Sequence, residues 1–304
     1  MKFFRQAIYP VLTALLLVLL NAYVAHHPLY VDKTRKVDEQ LAELSALCAA
    51  SAERPLTLIV GNSYVRTAVQ PSESGAYSKF IMNGLPLVDV VHALRSLPEG
   101  LHLATVVVGL GYNYATPARS LSYVYRRYEA ESAIASAWWS IPVARSYSLS
   151  STMVKDDLVC LATRQTCRGT QRPSEEFERS ADASEAHARR IDGEVDQRLR
   201  EYRPFTSEVS PSFGETLRAI RAECDRLGAR MLTFTAPIYR PLRDQLDPSV
   251  LARFRETAAS VSQYVDFNLR YPSWGPQYFG DPTHVARDGE GAHVVTADLL
   301  QFLR

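Results

Sequence analysis

Residues 7–20 form an apolar run, extended by residues 21–25, in which no polar face recurs at helical spacing. At about 1.5 Å per residue such a stretch just spans a bilayer core of about 30 Å. Lys2 and Arg5 precede the run, which favours a cytoplasmic N-terminus and export of the remainder, although Lys33, Arg35 and Lys36 follow it. A cleaved signal peptide is the competing reading, but Tyr23 stands where a cleavage site wants a small residue. Residues 1–29 are thus expected to be an anchor or signal. Residues 30–54 are expected to be a helical linker, with Val37, Leu41, Leu44 and Leu47 at helical spacing.

From residue 55 the pattern changes to short apolar runs alternating with amphipathic stretches. Strands are expected at 56–60, 79–82, 103–108, 230–235 and 261–267, and helices at 87–97, 213–227 and 291–303. The continuous apolar runs at 56–60 and 103–108 suit strands buried on both faces. This alternation predicts an α/β domain with a doubly wound parallel sheet over 55–304, whose sites lie just beyond the carboxyl ends of the strands. An insertion at about 114–229 separates the third and fourth strands, far longer than the dozen or so residues a simple crossover needs. Within it, 114–139 is rich in aromatics, 148–170 is loop-like, and 174–202 is dense in both signs of charge, as in a solvated helix face.

Composition narrows the function classes only a little. With 34 Lys and Arg against 33 Asp and Glu, the net charge is +1, and no long basic run interleaves with aromatics, so nucleic acid is not an expected partner. Of the four cysteines, Cys160 and Cys167 are close enough in sequence to close a small disulfide ring in an oxidising compartment, with four free thiols as the alternative. Cys48 and Cys224 sit in helical patterns. No Cys or His spacing suggests a metal, and no Gly-rich phosphate loop suggests a nucleotide, so no cofactor is expected.

Candidate chemistry lies at the strand ends. Gly61-Asn62-Ser63 follows the first strand, Asn83-Gly84 the second and Gly111-Tyr112-Asn113 the third, while Asp281-Pro282-Thr283-His284 comes near the C-terminus. A serine hydroxyl needs a base to become a nucleophile, and an aspartate three residues before a histidine can fix the imidazole's tautomer. Ser63, His284 and Asp281 are therefore the candidate catalytic residues. His92 and His293 lie on predicted helices and are expected to pack.

The order of these four blocks resembles the SGNH, or GDSL-like, hydrolase superfamily from about Leu56 to the end, apart from the insertion. The N-terminal anchor makes the chain look most like the membrane-tethered branch related to alginate O-acetylation proteins and the D-alanyl transfer protein. The resemblance implies a flavodoxin-like three-layer α/β/α sandwich. It implies oxyanion donors at the Ser63 backbone, Gly84 and Asn113, each worth about 100- to 1000-fold in rate. It also implies a serine esterase or O-acyltransferase acting on an acyl ester, such as acetyl, of an envelope or exported polysaccharide. An integral-membrane acyltransferase is the partner implied for transfer.

Two positions depart from the family pattern: Gly-Asp-Ser is Gly61-Asn62-Ser63 here, and Gly-x-Asn-Asp ends in Tyr114. These favour the alternative of a polysaccharide-binding or assembly module that has kept the fold and lost the chemistry. A simple lipid or aryl esterase is a third reading. Tyr112, Trp274 and Tyr278 could offer ring faces to a sugar, or could pack the mouth of the fold. Arg240 could contact an anionic polymer.

Overall fold

The computed structural model describes residues 2–26, 55–72, 75–81, 86–95, 102–115, 185–202 and 208–303, with the single positions 39, 42, 43, 46 and 97. The expected linker helix lies almost wholly outside these residues, as do Gly84, Cys48, Cys160 and Cys167. The chain comprises two units: the N-terminal helix α1 (Lys2–His26) belongs to one, while the other, residues 43–119 and 172–304, holds the sheet. Residues 9–26 of α1 are long and apolar enough to cross a membrane, with a mean hydropathy of 1.6.

The second unit is built on five parallel strands: β1 (Leu56–Gly61), β2 (Ser78–Ile81), β3 (Leu103–Leu110), β4 (Arg230–Thr235) and β5 (Gln263–Asp266). They lie in the order β2-β1-β3-β4-β5. The central three are almost wholly buried, which is why they read as continuous apolar runs rather than alternating ones. Their register aligns Val60 with Val108 and Leu110 with Thr235, so the carboxyl ends fall along one edge.

Helices α2 (Ser63–Ala68), α3 (Leu87–Arg95), α4 (Glu185–Tyr202), α5 (Pro211–Arg226), α6 (Arg240–Arg243), α7 (Pro248–Val261), α8 (Phe267–Arg270) and α9 (Glu290–Phe302) surround the sheet. Right-handed crossovers place α2 on one face, because β2 lies to one side of β1, and put α3, α5 and α7 on the other, because the chain then steps the opposite way through β3, β4 and β5. Packing follows this division: α3, α5 and α7 touch side by side, and α2 pairs with α9. Phe213 of α5 and Phe254 of α7 stack at 4.7 Å, both fully buried. Each such ring stabilises the fold by about 1.5–3 kcal/mol. Sequence patterning passed over α7, whose start is nonetheless marked by the cap Asp247 and by Pro248.

A small antiparallel hairpin, β6 (Phe279–Asp281) and β7 (His284–Val285), lies beyond the sheet. Residues 185–202 of the charge-dense stretch form a helix, α4, but it is not simply a solvated face. His187, Ile191 and Val195 are buried on one side of it, and that side packs on β6 and on the 3-10 turn at Pro276–Tyr278.

Candidate active site

The chain reverses direction between β1 and β3, which are neighbours whose following connections leave on opposite faces; such a point in a doubly wound sheet leaves a crevice beyond the strand ends. Ser63 stands there, at the first position of α2. Asn62 caps that helix, its Oδ1 accepting the Tyr64 N–H at 3.1 Å. Helix α2 can approach the sheet this closely because Gly61 and Gly109 lack side chains. A Cβ at Gly109 would fall 1.9 Å from Val65 Cγ2, and one at Gly61 would fall 2.4 Å from it.

The hairpin turn brings His284 to Ser63 across 221 residues of sequence, with Nε2 to Oγ at 2.9 Å. On the other side of the ring, Nδ1 lies 2.9 Å from Asp281 Oδ2 and 3.1 Å from Oδ1. Asp281 is a fully engaged acceptor. Its Oδ1 takes the Thr283 N–H and hydroxyl, each at 2.7 Å, and the His284 N–H at 3.1 Å. Its Oδ2 takes Arg198 Nη2 at 3.1 Å. Because the Thr283 hydroxyl donates to Asp281, it can only accept from His284 Nδ1, 2.8 Å away, so the ring proton sits on Nδ1 and Nε2 is free to accept from Ser63. Burial opposes the charge on Asp281, but His284, Arg198 and Thr283 outweigh it and hold the carboxyl well below the ordinary carboxylate range.

Tyr64, one residue past the serine, lies parallel to the His284 ring with centroids 4.8 Å apart. Its edge also covers Gly111, where a Cβ would come within 2.8 Å of Tyr64 and 2.4 Å of Asn113 Oδ1. Asn113 therefore folds back beside the Tyr64 ring, at the border of the site. The two departures from the family pattern turn out to be neighbours. With its Oδ1 on the Tyr64 N–H, Asn62 has its amide nitrogen to donate to the buried Tyr114 hydroxyl. Burial, followed by nearby Tyr64 and Asp89, pushes that phenol well above its ordinary value.

Other candidates are placed elsewhere. Tyr112 does not face a substrate: it is 1% exposed, packs edge-on against Phe254, and donates to Asp266 Oδ2 at 2.8 Å. It belongs to the core because the side chain turns toward β5 and α7. Trp274 stands in a column of rings, 4.4 Å from Tyr271 and 4.7 Å from Tyr278, over Gly291 of α9. Arg240 is exposed at the start of α6 and pairs with Asp244 at 3.5 Å. His92 is buried as expected, whereas His293 is exposed on α9, against the expectation that it packs. Cys224 is a buried free thiol pushed up to about 12, chiefly by burial. Among the described residues no cluster of His, Cys, Asp or Glu could hold a metal ion.

Sequence reasoning missed Tyr64, Thr283 and Arg198. Thr283 was within the Asp-x-x-His block itself. Arg198 had no signal, since it belongs to the insertion and meets Asp281 only through packing of α4. No family model and no curated protein matches this chain, so the chemistry of the site is read from its own geometry.

Proposed function

We propose that the chain is a membrane-anchored, extracytoplasmic serine enzyme of the SGNH type, cleaving or transferring an O-acyl group, most simply acetyl, on an envelope or exported polysaccharide. The observation that carries this reading is the unbroken run of hydrogen bonds from Ser63 Oγ through the His284 ring to Asp281. Its place at the crevice of a parallel sheet supports the family resemblance, and the helix over residues 9–26 supports the anchor.

In this mechanism His284 Nε2 takes the Ser63 proton as Oγ bonds to the ester carbonyl carbon. The Nδ1–H donated to Asp281 stabilises the imidazolium. The tetrahedral oxyanion is met by the Ser63 N–H, with Asn113 and Gly84 as the further donors the resemblance implies. Collapse breaks the carbon–oxygen bond to the leaving alcohol, which departs with the proton from His284 and leaves acyl-Ser63. Water, or a sugar hydroxyl in a transferase, then gives its proton to His284 and takes the acyl group, restoring the free serine. An integral-membrane acyltransferase is the proposed source of the acyl group in the transfer case.

Fluorophosphonate labelling of the full chain in detergent, with the adduct mapped by mass spectrometry, tests the reading. The expected result is an adduct on Ser63 that is lost in Ser63→Ala and slowed at least about 100-fold in His284→Ala, the scale of a missing general base. A folded protein that gives no adduct, yet binds polysaccharide equally well as Ser63→Ala, would instead be a binding module.

A further inference from the structure

Helix α4 comes from the insertion, yet it grips the hairpin that carries Asp281 and His284 at four places. His187 Nδ1 accepts from Arg190 Nη2 at 3.2 Å, so its Nε2–H donates, reaching the carbonyls of Phe279 at 3.0 Å and Pro276 at 3.1 Å. Arg190 Nη2 also donates to the Gly280 carbonyl at 3.0 Å. Asp192 accepts the Tyr239 hydroxyl at 2.8 Å, and the Tyr239 N–H in turn holds the Pro282 carbonyl at 2.8 Å. Arg198 ends the series on Asp281 Oδ2, the same oxygen that accepts from His284.

We propose that Arg198 is a positioning residue for the hydrolase-like triad, and that seating of α4 on the hairpin is what completes the site. This rests on the triad reading above. The three earlier contacts fix the hairpin backbone, while Arg198 fixes the carboxylate. Several charged and titratable groups among the described residues stand around the His284–Asp281 pair. Tyr64 faces the ring from α2, Arg198 faces the carboxylate from α4, His187 and Arg190 hold the carbonyls just before it, and Tyr239 reaches the turn from the loop after β4. Arg198 is thus the one of these cations bonded to the pair itself. The guanidinium on Asp281 Oδ2 holds that carboxylate where it accepts from Nδ1, and so keeps Nε2 aimed at Ser63. Its loss frees the Asp281 carboxylate to turn away from Nδ1.

The test is the Ser63 labelling of the full chain, for wild type, Arg198→Gln and Arg198→Lys, with probe binding and the inactivation rate constant read separately. For Arg198→Gln the inactivation rate constant is expected to fall about 10-fold or more, on the scale of a misplaced general base, with probe binding unchanged. Arg198→Lys keeps the charge and is expected to give an intermediate rate constant. A folded Arg198→Gln whose constants match those of the wild type overturns the proposal. So does a Lys variant as slow as the Gln variant, and, if the Gln variant does not fold, a Lys variant that labels at the wild-type rate. A wild-type chain that fails to label at Ser63 sinks the triad reading and this inference with it. A wild type that labels while both variants are indifferent sinks this inference alone.

Discussion

At the scale of the residue, the site is organised by how completely Asp281 is used. Five donor groups converge on its two oxygens, from Thr283, His284 and Arg198, although the residue is buried. A buried carboxylate is tolerated only when so compensated. Since its folded value lies below that of an unfolded aspartate, near 3.9, its contribution to stability is present above about pH 4 and fades as pH falls through the folded value. Asp281→Asn removes that proton uptake. The variant is expected to be less stable than the wild type at pH 7 but to lose less stability between pH 5 and pH 2, as read by urea midpoints. A parallel pair of curves would show that Asp281 is not the carboxylate at issue. At pH 7 the amide that replaces the carboxylate no longer holds the proton on Nδ1 of the His284 ring, so Ser63 labelling in Asp281→Asn should slow by about 10³- to 10⁴-fold.

At the scale of the element, α2 connects sheet and chemistry. It holds six residues, too few to be stable by itself, and it exists because Asn62 caps it and Val65 seats in the gap over Gly61 and Gly109. Gly109→Ala should push α2 off β3 and cost about 1–3 kcal/mol, the range for an overpacked core. Adding Val65→Ala should return part of that loss and part of the Ser63 labelling rate, since it is Val65 that the new methyl meets. Urea unfolding of the two single variants and the double variant measures the coupling, and strict additivity would mean the clash is relieved elsewhere. The α4 contacts follow the same logic in reverse. There a helix with a strongly charged sequence is held by its polar side chains, which find partners in the hairpin carbonyls of Phe279 and Gly280.

At the scale of the whole molecule, the strand order places the ends of β1 and β3 where the chain switches direction, so the fold provides the crevice before any side chain is chosen. The proposed anchor, within the helix at residues 9–26 that is long and apolar enough to cross a membrane, adds a membrane requirement to the proposed function. The full chain is expected to stay with membranes through alkaline carbonate extraction and to keep its N-terminus by intact mass. Leu15→Arg with Leu16→Arg should release it, since each charge at mid-span costs about 2.5–3.5 kcal/mol. A mature mass lacking about the first 25 residues would make the segment a signal peptide instead. Much of this was legible in the sequence. The buried strands β1, β3 and β4 stood out because burial on both faces demands continuous apolar runs, and Ser63, Asp281 and His284 stood out because turn chemistry and an i, i+3 spacing are local properties. Three-dimensional packing alone decided the rest. Tyr112 went into the core because β5 supplied Asp266 as its partner, Tyr64 came to the His284 ring because α2 sits beside β7, and Arg198 reached Asp281 because α4 docks on the hairpin. Each of those contacts joins residues far apart along the chain, and a one-dimensional pattern records periodicity and neighbours but not which distant surfaces the fold brings together.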